Sequence, residues 1–167
     1  MARLRRLVRA RKVFFVTTNL KRGLLPFTSK ERELLCHALV EVRTSRRFQL
    51  AGFVVMPDHL HLLVLPHAED TVSSLVQGLK YATARKVNAE RRRQGTLWQK
   101  GFFDHFMRTP KEFFETLDYM HQNPVRKRLA RTPAEWRWSS AAAYAGLDSI
   151  IPVDFLDLPA QTERRLR

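Results

Sequence analysis

The chain has 167 residues and a mass of 19.6 kDa, and 44% of its residues are hydrophobic, which is typical of one folded domain. Thirty Lys and Arg against 16 Asp and Glu give a net charge of +14, which favours nucleic acid as the partner over an anionic membrane surface or solubility alone. No apolar run approaches the roughly 18–20 residues that cross a bilayer, and the basic start lacks the apolar stretch of a signal peptide.

The pattern of hydrophobic residues predicts alternating strands and helices in the order β-α-β-β-α-β-α. Their predicted bounds are strand 11–20, helix 30–46, strands 48–56 and 59–65, helix 71–92, strand 102–108 and helix 110–123. Thr28 or Ser29 can cap the first helix, and Thr109 can cap the last one. This is the order of a split β-α-β unit, so we expect an α+β, ferredoxin-like or RRM-like sandwich with an antiparallel sheet and helices on one face. The helix over 110–123, which contains Tyr119, is an extra C-terminal helix of this fold.

The chain after the last predicted helix, residues 124–167, holds several prolines, two tryptophans and a charged end. We interpret it as a segment that wraps around the domain. The predicted organisation is one domain over 1–145, followed by a C-terminal tail over 146–167 whose last residues we expect to be disordered.

The basic residues form three clusters, and three such clusters on a small domain favour a surface that follows nucleic-acid phosphates. The N-terminal basic cluster is Arg3, Arg5, Arg6, Arg9, Arg11 and Lys12; the helix basic cluster is Lys80, Arg85, Lys86, Arg91, Arg92 and Arg93; the C-terminal basic cluster is Arg126, Lys127, Arg128 and Arg131. Nucleic-acid contacts are expected from Arg3, Arg5, Arg6, Arg9, Lys80, Arg85, Lys86, Arg126, Lys127 and Arg128. Trp98, Trp136 and Trp138 can stack on bases, with core packing as the alternative for at least two of them.

Two histidines stand one residue apart in the apolar stretch FVVMPDHLHLLVLP, residues 53–66. Side chains at i and i+2 of a strand share a face, so His59 and His61 point the same way, with Cα atoms roughly 6.5–7 Å apart. Two imidazoles so placed can bind one cation, or they can be hydrogen-bonded histidines of a core or an edge. The spacing leaves both interpretations open, and a metal site needs further ligands, for which the candidates are His67, His105, His121, Asp58, Asp104 and Asn123.

The last predicted helix supplies a second pair of candidates. Tyr119 and Asn123 are four residues apart and therefore share a face of the helix, from which a phenol and an amide can both reach the sheet. The alternative is structural, because a helical Tyr usually packs, and an Asn before Pro124 is a natural helix end.

Four motifs, in order along the chain, resemble one family of proteins. They are MPDHLHLLV, WQKGFFDHFMR, LDYMHQNPVRKRL and WRWSS. The first contains the His–hydrophobic–His motif of HUH endonucleases, and the third is similar to the tyrosine segment of single-Tyr, IS200-like transposases. The set is most similar to the REP-associated tyrosine transposases, and the resemblance runs from about residue 10 to about residue 145.

The resemblance implies a metal-dependent single-stranded DNA endonuclease and strand transferase that forms a 5′-phosphotyrosine intermediate at REP-type palindromic hairpins, as in DNA transposition. It implies that His59 and His61 bind the metal and that Tyr119 is the nucleophile. Asn123 occupies the place of a polar residue that helps to bind the metal, which the resemblance identifies as Mg²⁺ or Mn²⁺.

Other positions around these motifs leave choices open. Asp104 and His105 precede the tyrosine helix and can orient a ligand or a water, with a core role as the alternative for His105. Many family members carry a small residue and a glycine after the basic residue that follows NPV, whereas this chain has Lys127 and Arg128. The local turn there therefore differs from the family pattern.

The expected partners are single-stranded DNA and DNA hairpins, without a membrane. A monomer that acts in cis is favoured by the short link between strand 102–108 and the tyrosine helix. The single Cys36 fits a reducing cytoplasm, and a DNA partner implies a nucleoid-associated protein there. Two alternatives remain: a catalytically inactive module that binds DNA hairpins, and a zinc-dependent hydrolase with His59, His61 and His105 as ligands.

Overall fold

The computed structural model describes residues 11–158. The elements are β1 (Phe14–Asn19), α1 (Ser29–Arg46), β2 (Gln49–Val55), β3 (His59–Leu65), α2 (Val72–Glu90), β4 (Phe103–Phe106), α3 (Pro110–Arg126), a 3₁₀ turn (Pro133–Glu135) and the short helix α4 (Ala141–Tyr144). The predicted element order is confirmed. Arg3, Arg5, Arg6, Arg9 and the predicted disordered end lie outside the described residues, and no helix within 11–158 is long and apolar enough to cross a membrane.

The four strands form one antiparallel sheet in the order β2-β3-β1-β4, which is the predicted ferredoxin-like, split β-α-β arrangement. The register pairs Thr17 of β1 with His61 of β3 on one side and with Phe103 of β4 on the other. These three residues therefore lie in a row across the sheet, and their side chains share one face.

The helices cover both faces of the sheet. On one face α1 and α2 bury the even-numbered side chains of β3, Leu60, Leu62 and Val64. On the other face α3 packs through Leu117 and other apolar residues against Leu63 and its neighbours in β2. Packing on one face is confirmed for α1 and α2, whereas the extra helix α3 covers the opposite face, because the sheet face that carries His61 and Leu63 is itself apolar in part and needs a cover.

A bulge and a glycine in β2 let α3 approach the sheet closely. The register of β2 against β3 shifts between Leu50 and Gly52. A Cβ at Gly52 would lie 2.9 Å from Cδ1 of Leu117, which is closer than real Cβ contacts come. The missing side chain therefore fixes how near the tyrosine helix lies to the sheet.

Helix α3 ends three residues later than predicted. Pro124 lies inside the helix, and the last turn is closed by the N–H of Leu129, which donates to the Pro124 carbonyl at 2.8 Å, and by the N–H of Arg128, which donates to the Val125 carbonyl at 2.9 Å. This pair of bonds is a Schellman motif, which satisfies carbonyls at the helix end. It requires a left-handed residue, and Arg128 takes that role with φ of 58°.

We expect Arg128→Gly to stabilise the fold. A residue with a Cβ is disfavoured in the left-handed region by about 1 kcal/mol, whereas glycine adopts it freely. Chemical denaturation should therefore show the free energy of unfolding rise by about 1 kcal/mol. The control Lys127→Gly, at φ of −84°, should lower that free energy, because there glycine only gives the unfolded chain more freedom. Destabilisation by both substitutions would contradict the assigned strain.

The chain after α3 covers the outer edge of β2, so the predicted wrapping segment is confirmed as far as residue 158. The N–H of Val55 donates to the carbonyl of Trp138, and the N–H of Leu50 donates to the Asp154 carboxylate, both at 2.8 Å. Ile151 is buried in the same core as the sheet. Residues 146–158 therefore pack on the domain, and the predicted boundary at 145 stays a prediction.

Candidate active site

Three nitrogen atoms from two elements converge where α3 crosses β3. Nε2 of His59 and Nε2 of His61 lie 3.1 Å apart. The side-chain amide of Asn123, on α3, donates to both of them, with Nδ2 at 2.9 Å from His59 and at 3.1 Å from His61. Hydrogen bonds alone decide which amide atom faces the imidazoles, so a half-turn of the amide brings the Asn123 oxygen to the same place.

The other ring nitrogen of each histidine has its own partner. Nδ1 of His59 lies 2.6 Å from the Asp58 carboxylate, and Nδ1 of His61 lies 2.8 Å from the Thr17 hydroxyl. When each Nδ1–H donates to that oxygen, each Nε2 keeps its lone pair for a ligand. Such outer partners are the usual way in which proteins orient metal-binding histidines.

The three side chains lie close enough together to share one cation. Their separations of 2.9, 3.1 and 3.1 Å are those of the hydrogen bonds that join them, so no side chain has to move far for the three to face one ion. Imidazole nitrogens and an amide oxygen are all known metal ligands in proteins. His59, His61 and Asn123 could therefore hold one divalent cation between them.

His61 is the buried member of the pair, with 6% of its surface exposed. Burial lowers the pKa of His61 to about 3, and the neighbouring His59 and Arg126 act in the same direction. The imidazole is therefore neutral at physiological pH, which is the form that binds a metal.

Tyr119 stands beside this cluster on the same helix as Asn123. The centroid of its ring lies 6.5 Å from that of His61, and 54% of the residue is exposed. The guanidinium of Arg126 lies 4.5 Å from the Tyr119 ring centroid and donates to the Tyr119 carbonyl at 2.7 Å. One face of the ring is thereby held by a cation, and the rest of the side chain is open to solvent.

The other predicted ligands do not join the cluster. Nε2 of His105 lies 2.6 Å from the Glu112 carboxylate, which ties β4 to the first turn of α3, and Asp104 is exposed. His121 is buried and bonds to Ser140 at 2.7 Å, and burial lowers its pKa to about 4. His67 lies in the loop before α2.

The predicted zinc site of three histidines is not formed. Among residues 11–158, no three His, Cys, Asp or Glu side chains converge so that they can hold a metal ion. His105 is engaged by Glu112, one full strand away from the pair, since β1 lies between β4 and β3. The zinc-dependent hydrolase with His59, His61 and His105 is therefore wrong.

Much of the helix basic cluster is used inside the fold. The ammonium of Lys80 donates to the carbonyls of Gln99 and Gly101 and so holds the loop before β4. Lys86 forms an ion pair with Glu41 at 2.9 Å, whereas Arg85 is exposed. A phosphate contact from Lys80, Arg85 or Lys86 stays a prediction.

The C-terminal basic cluster has a different setting. Arg126, Lys127 and Arg128 are all exposed at the end of α3, one to two turns from Asn123 and Tyr119. Their charge therefore lies beside the candidate nucleophile, as a phosphate-binding role requires.

Two of the three tryptophans are structural, as one alternative predicted. Trp98 and Trp136 are buried, and their indole N–H groups donate to the Thr83 hydroxyl and the Val55 carbonyl. Trp138 is partly buried under the guanidinium of Arg32, at 4.0 Å from its ring centroid. Trp98 and Trp136 therefore cannot stack on bases, and stacking by Trp138 stays a prediction.

A comparison with known protein families matches the part of the chain that contains the candidate site. The family model described as "Transposase IS200 like" matches residues 11–123, which contain both histidines, Tyr119 and Asn123. The chain belongs to the IS200-like transposase family. Members of this family are DNA-cleaving enzymes, and the resemblance predicted from the four motifs is confirmed.

Relatives and solved structures agree with this family. A REP-associated tyrosine transposase of Escherichia coli (strain K12) is 27% identical over 128 residues, 76% of this chain and 74% of that protein. A putative REP-associated tyrosine transposase of Haemophilus influenzae is 29% identical over 103 residues, 56% of this chain and 58% of that protein.

Among solved structures, a REP-associated tyrosine transposase bound to a REP hairpin has a TM-score of 0.70 at 25% identity, over 89% of this chain and 90% of that one. A putative transposase from Deinococcus radiodurans has a TM-score of 0.52 at 19% identity, over 67% of this chain and 90% of that one, and shows the fold alone.

Sequence reasoning missed Thr17, and it predicted Arg126 as a contact to DNA without its contact to Tyr119. Thr17 meets His61 only through the register of β1 and β3, which no local spacing reveals. Arg126 lies two helical turns after Tyr119, and the interval of seven residues is a usable signal. This interval was not used, because the helix was expected to end before Pro124.

We expect Thr17→Val to weaken Mn²⁺ binding by about 10- to 100-fold, because His61 then loses the oxygen that orients its ring. Valine keeps the volume and the strand preference of threonine, so the fold should persist. Isothermal titration with Mn²⁺, without DNA, measures the change. The matched control is Thr18→Val, since the Thr18 hydroxyl is buried without a hydrogen-bond partner among the described residues. Equal Mn²⁺ affinity of the two variants would contradict the role of Thr17.

Proposed function

We propose that the chain is a metal-dependent single-stranded DNA endonuclease and strand transferase in which Tyr119 is the nucleophile. The observation that carries the proposal is the placement of the Tyr119 ring 6.5 Å from His61, beside three donors that converge within 3.1 Å of one another. A phenol next to a cation site at the surface of a very basic protein is suited to attack on a phosphodiester.

The reaction is one exchange of phosphate esters. The Tyr119 hydroxyl oxygen forms a bond to phosphorus while the bond between phosphorus and the 3′ oxygen breaks. The electron pair of that bond leaves with the 3′ oxygen, which ends with the proton that the phenol gives up. The products are a 5′-phosphotyrosine and a free 3′-OH, and attack by another 3′-OH on this ester joins two strands without ATP.

His59, His61 and Asn123 would hold the cation, since their side chains converge, and the family resemblance supports Mg²⁺ or Mn²⁺ as that ion. When bound, such an ion withdraws charge from the phosphate oxygens and fixes the scissile phosphate for attack. Asp58 and Thr17 keep both histidines in the ligand tautomer.

Arg126 positions the nucleophile. Its guanidinium lies against one face of the Tyr119 ring and so restricts the orientation of the side chain that carries the hydroxyl. The remaining N–H groups of Arg126, with exposed Lys127 and Arg128, are available to the DNA phosphates.

The proposed substrate is the single-stranded flank of a REP-type palindromic hairpin. The support is the solved relative that is described as bound to a REP hairpin, together with the charge of +14. We propose a monomer that acts in cis, since Tyr119 and His61 of the same chain are neighbours. A DNA substrate of this kind places the protein in the cytoplasm, at the nucleoid.

The test is incubation with labelled single-stranded oligonucleotides from the flanks of the gene, with Mn²⁺, and a denaturing gel. The proposal predicts a shortened DNA strand and a slow protein–DNA band that survives denaturation. Binding to the oligonucleotides without either product would instead support the catalytically inactive hairpin-binding module.

A further inference from the structure

We propose that the exposed ring of Phe103, with Phe15 beside it, is a stacking site for an unpaired DNA base close to the scissile phosphate. The inference rests on the proposed function, because it adds a base-binding subsite for the same single-stranded substrate. It also supplies the exposed aromatic that buried Trp98 and Trp136 cannot provide.

An unbroken row of aromatic rings leads from the nucleophile to Phe103. The ring of Tyr119 lies 6.5 Å from His61, and the ring of Phe15 is stacked on His61 at 5.3 Å with 26° between the planes. Phe103 meets Phe15 edge-on at 6.2 Å. Each step is within the range of interacting aromatic pairs.

The register of the sheet fixes how far Phe103 lies from the cation site. Phe103 pairs with Thr17, and Thr17 pairs with His61, so Phe103 lies two strand spacings, about 10 Å, from His61 on the same face. A stacked strand advances about 3.4 Å per nucleotide. A base on Phe103 therefore belongs to a nucleotide within about three positions of the scissile phosphate.

Helix α3 covers this face mainly over β2 and β3, and it reaches β4 through the contact between Glu112 and His105, two residues along the strand from Phe103. Phe103 is 57% exposed although it lies on a strand in contact with the folded core, whereas Phe15 behind it is partly buried. Phe103 thus presents an exposed ring at the end of the aromatic row, and a DNA base can stack on such a ring.

The charge of the molecule selects DNA as the occupant. The net charge is +14, and Arg126 stands at the Tyr119 end of the row. A second copy of this chain would bring an equal positive charge to the same face, whereas a single DNA strand brings bases for the rings and phosphates for the basic residues.

The experiment uses the full chain with Tyr119→Phe, which prevents cleavage, and a labelled single-stranded oligonucleotide from the flank of the gene. Fluorescence anisotropy without metal gives the dissociation constant. Phe103→Ala should weaken binding by about 10-fold, and Phe103→Trp should bind at least as well as the parent. The matched control is Phe114→Ala on α3, because Phe114 is 56% exposed and should leave the affinity unchanged.

Abasic substitutions along the oligonucleotide then identify the stacked base. Removal of the base at one position near the cleavage point should weaken binding to the parent by about 10-fold. The same abasic substitution should not weaken binding to Phe103→Ala any further. The proposal is overturned if Phe103→Ala binds the oligonucleotide like the parent. It is also overturned if the effect of Phe103→Ala adds to the effect of the abasic substitution at every position.

Two further readouts separate stacking from folding and from self-association. Phe103→Leu keeps an apolar side chain on β4, so a loss of affinity in a variant with unchanged thermal unfolding supports stacking. A change of mass in light scattering for Phe103→Ala, without a change of DNA affinity, would assign the surface to a second copy and overturn the proposal. A covalent band with the unmodified chain keeps the proposed function whichever of these results is found.

Discussion

Tyr119→Phe should abolish the covalent protein–DNA product and lower strand cleavage by about 10⁴-fold or more, because the attacking oxygen is absent. The substitution keeps the ring between His61 and Arg126, and Tyr119 is exposed, so folding and DNA binding should persist. A denaturing gel measures cleavage and the adduct, and anisotropy measures binding of the same oligonucleotide.

The matched control is Tyr81→Phe, since Tyr81 is an exposed tyrosine on α2, away from the donor cluster. Its adduct and its cleavage rate should equal those of the unmodified chain. Cleavage that persists in Tyr119→Phe at an unchanged rate would mean that water or another side chain attacks the phosphate.

His61→Ala should reduce Mn²⁺ affinity by more than the roughly 10- to 100-fold that loss of an outer partner costs, because one of three direct donors is removed. Asn123→Ala should weaken binding by the same mechanism. Asn123→Asp should strengthen it, since a carboxylate is the oxygen ligand that Mn²⁺ and Mg²⁺ prefer. Isothermal titration without DNA gives the affinities, and cleavage should fall in parallel for the two alanine variants.

The control for this series is His37→Ala, because His37 is exposed on α1 and does not contact the site. Its Mn²⁺ affinity should be that of the unmodified chain. A ligand role of Asn123 is wrong if Asn123→Ala and Asn123→Asp bind Mn²⁺ equally well, since only the aspartate carries an oxygen ligand at this position.

The order of elements and the shared face of His59 and His61 were predictable from sequence, since both follow from alternation within single strands. The side of the sheet on which α3 lies was not. That side depends on the bulge at Gly52 and on the fit of Leu117 above it, which are contacts between segments 65 residues apart in sequence. Local sequence patterns do not indicate such packing between distant segments.

The end of α3 shows a second limit of sequence reasoning. A proline normally marks a boundary for the preceding residue, and that rule placed the helix end at Asn123. The helix continues because the Schellman motif after Pro124 closes its last turn, with Arg128 in the left-handed conformation. A glycine at that position would have indicated this helix end in the sequence. The contact between Arg126 and Tyr119 was invisible for the same reason.

The continuous α3 has a consequence for how the enzyme can fail. Tyr119, Asn123 and Arg126 lie on one continuous helix, which packs on the sheet mainly through Leu117 and Met120. A shift of α3 would therefore move the proposed nucleophile, the proposed ion ligand and the guanidinium away from the histidines together. A substitution that disrupts the packing of Leu117 and Met120 would therefore impair all steps of the proposed reaction at once, and no variant of this kind should keep only part of the activity.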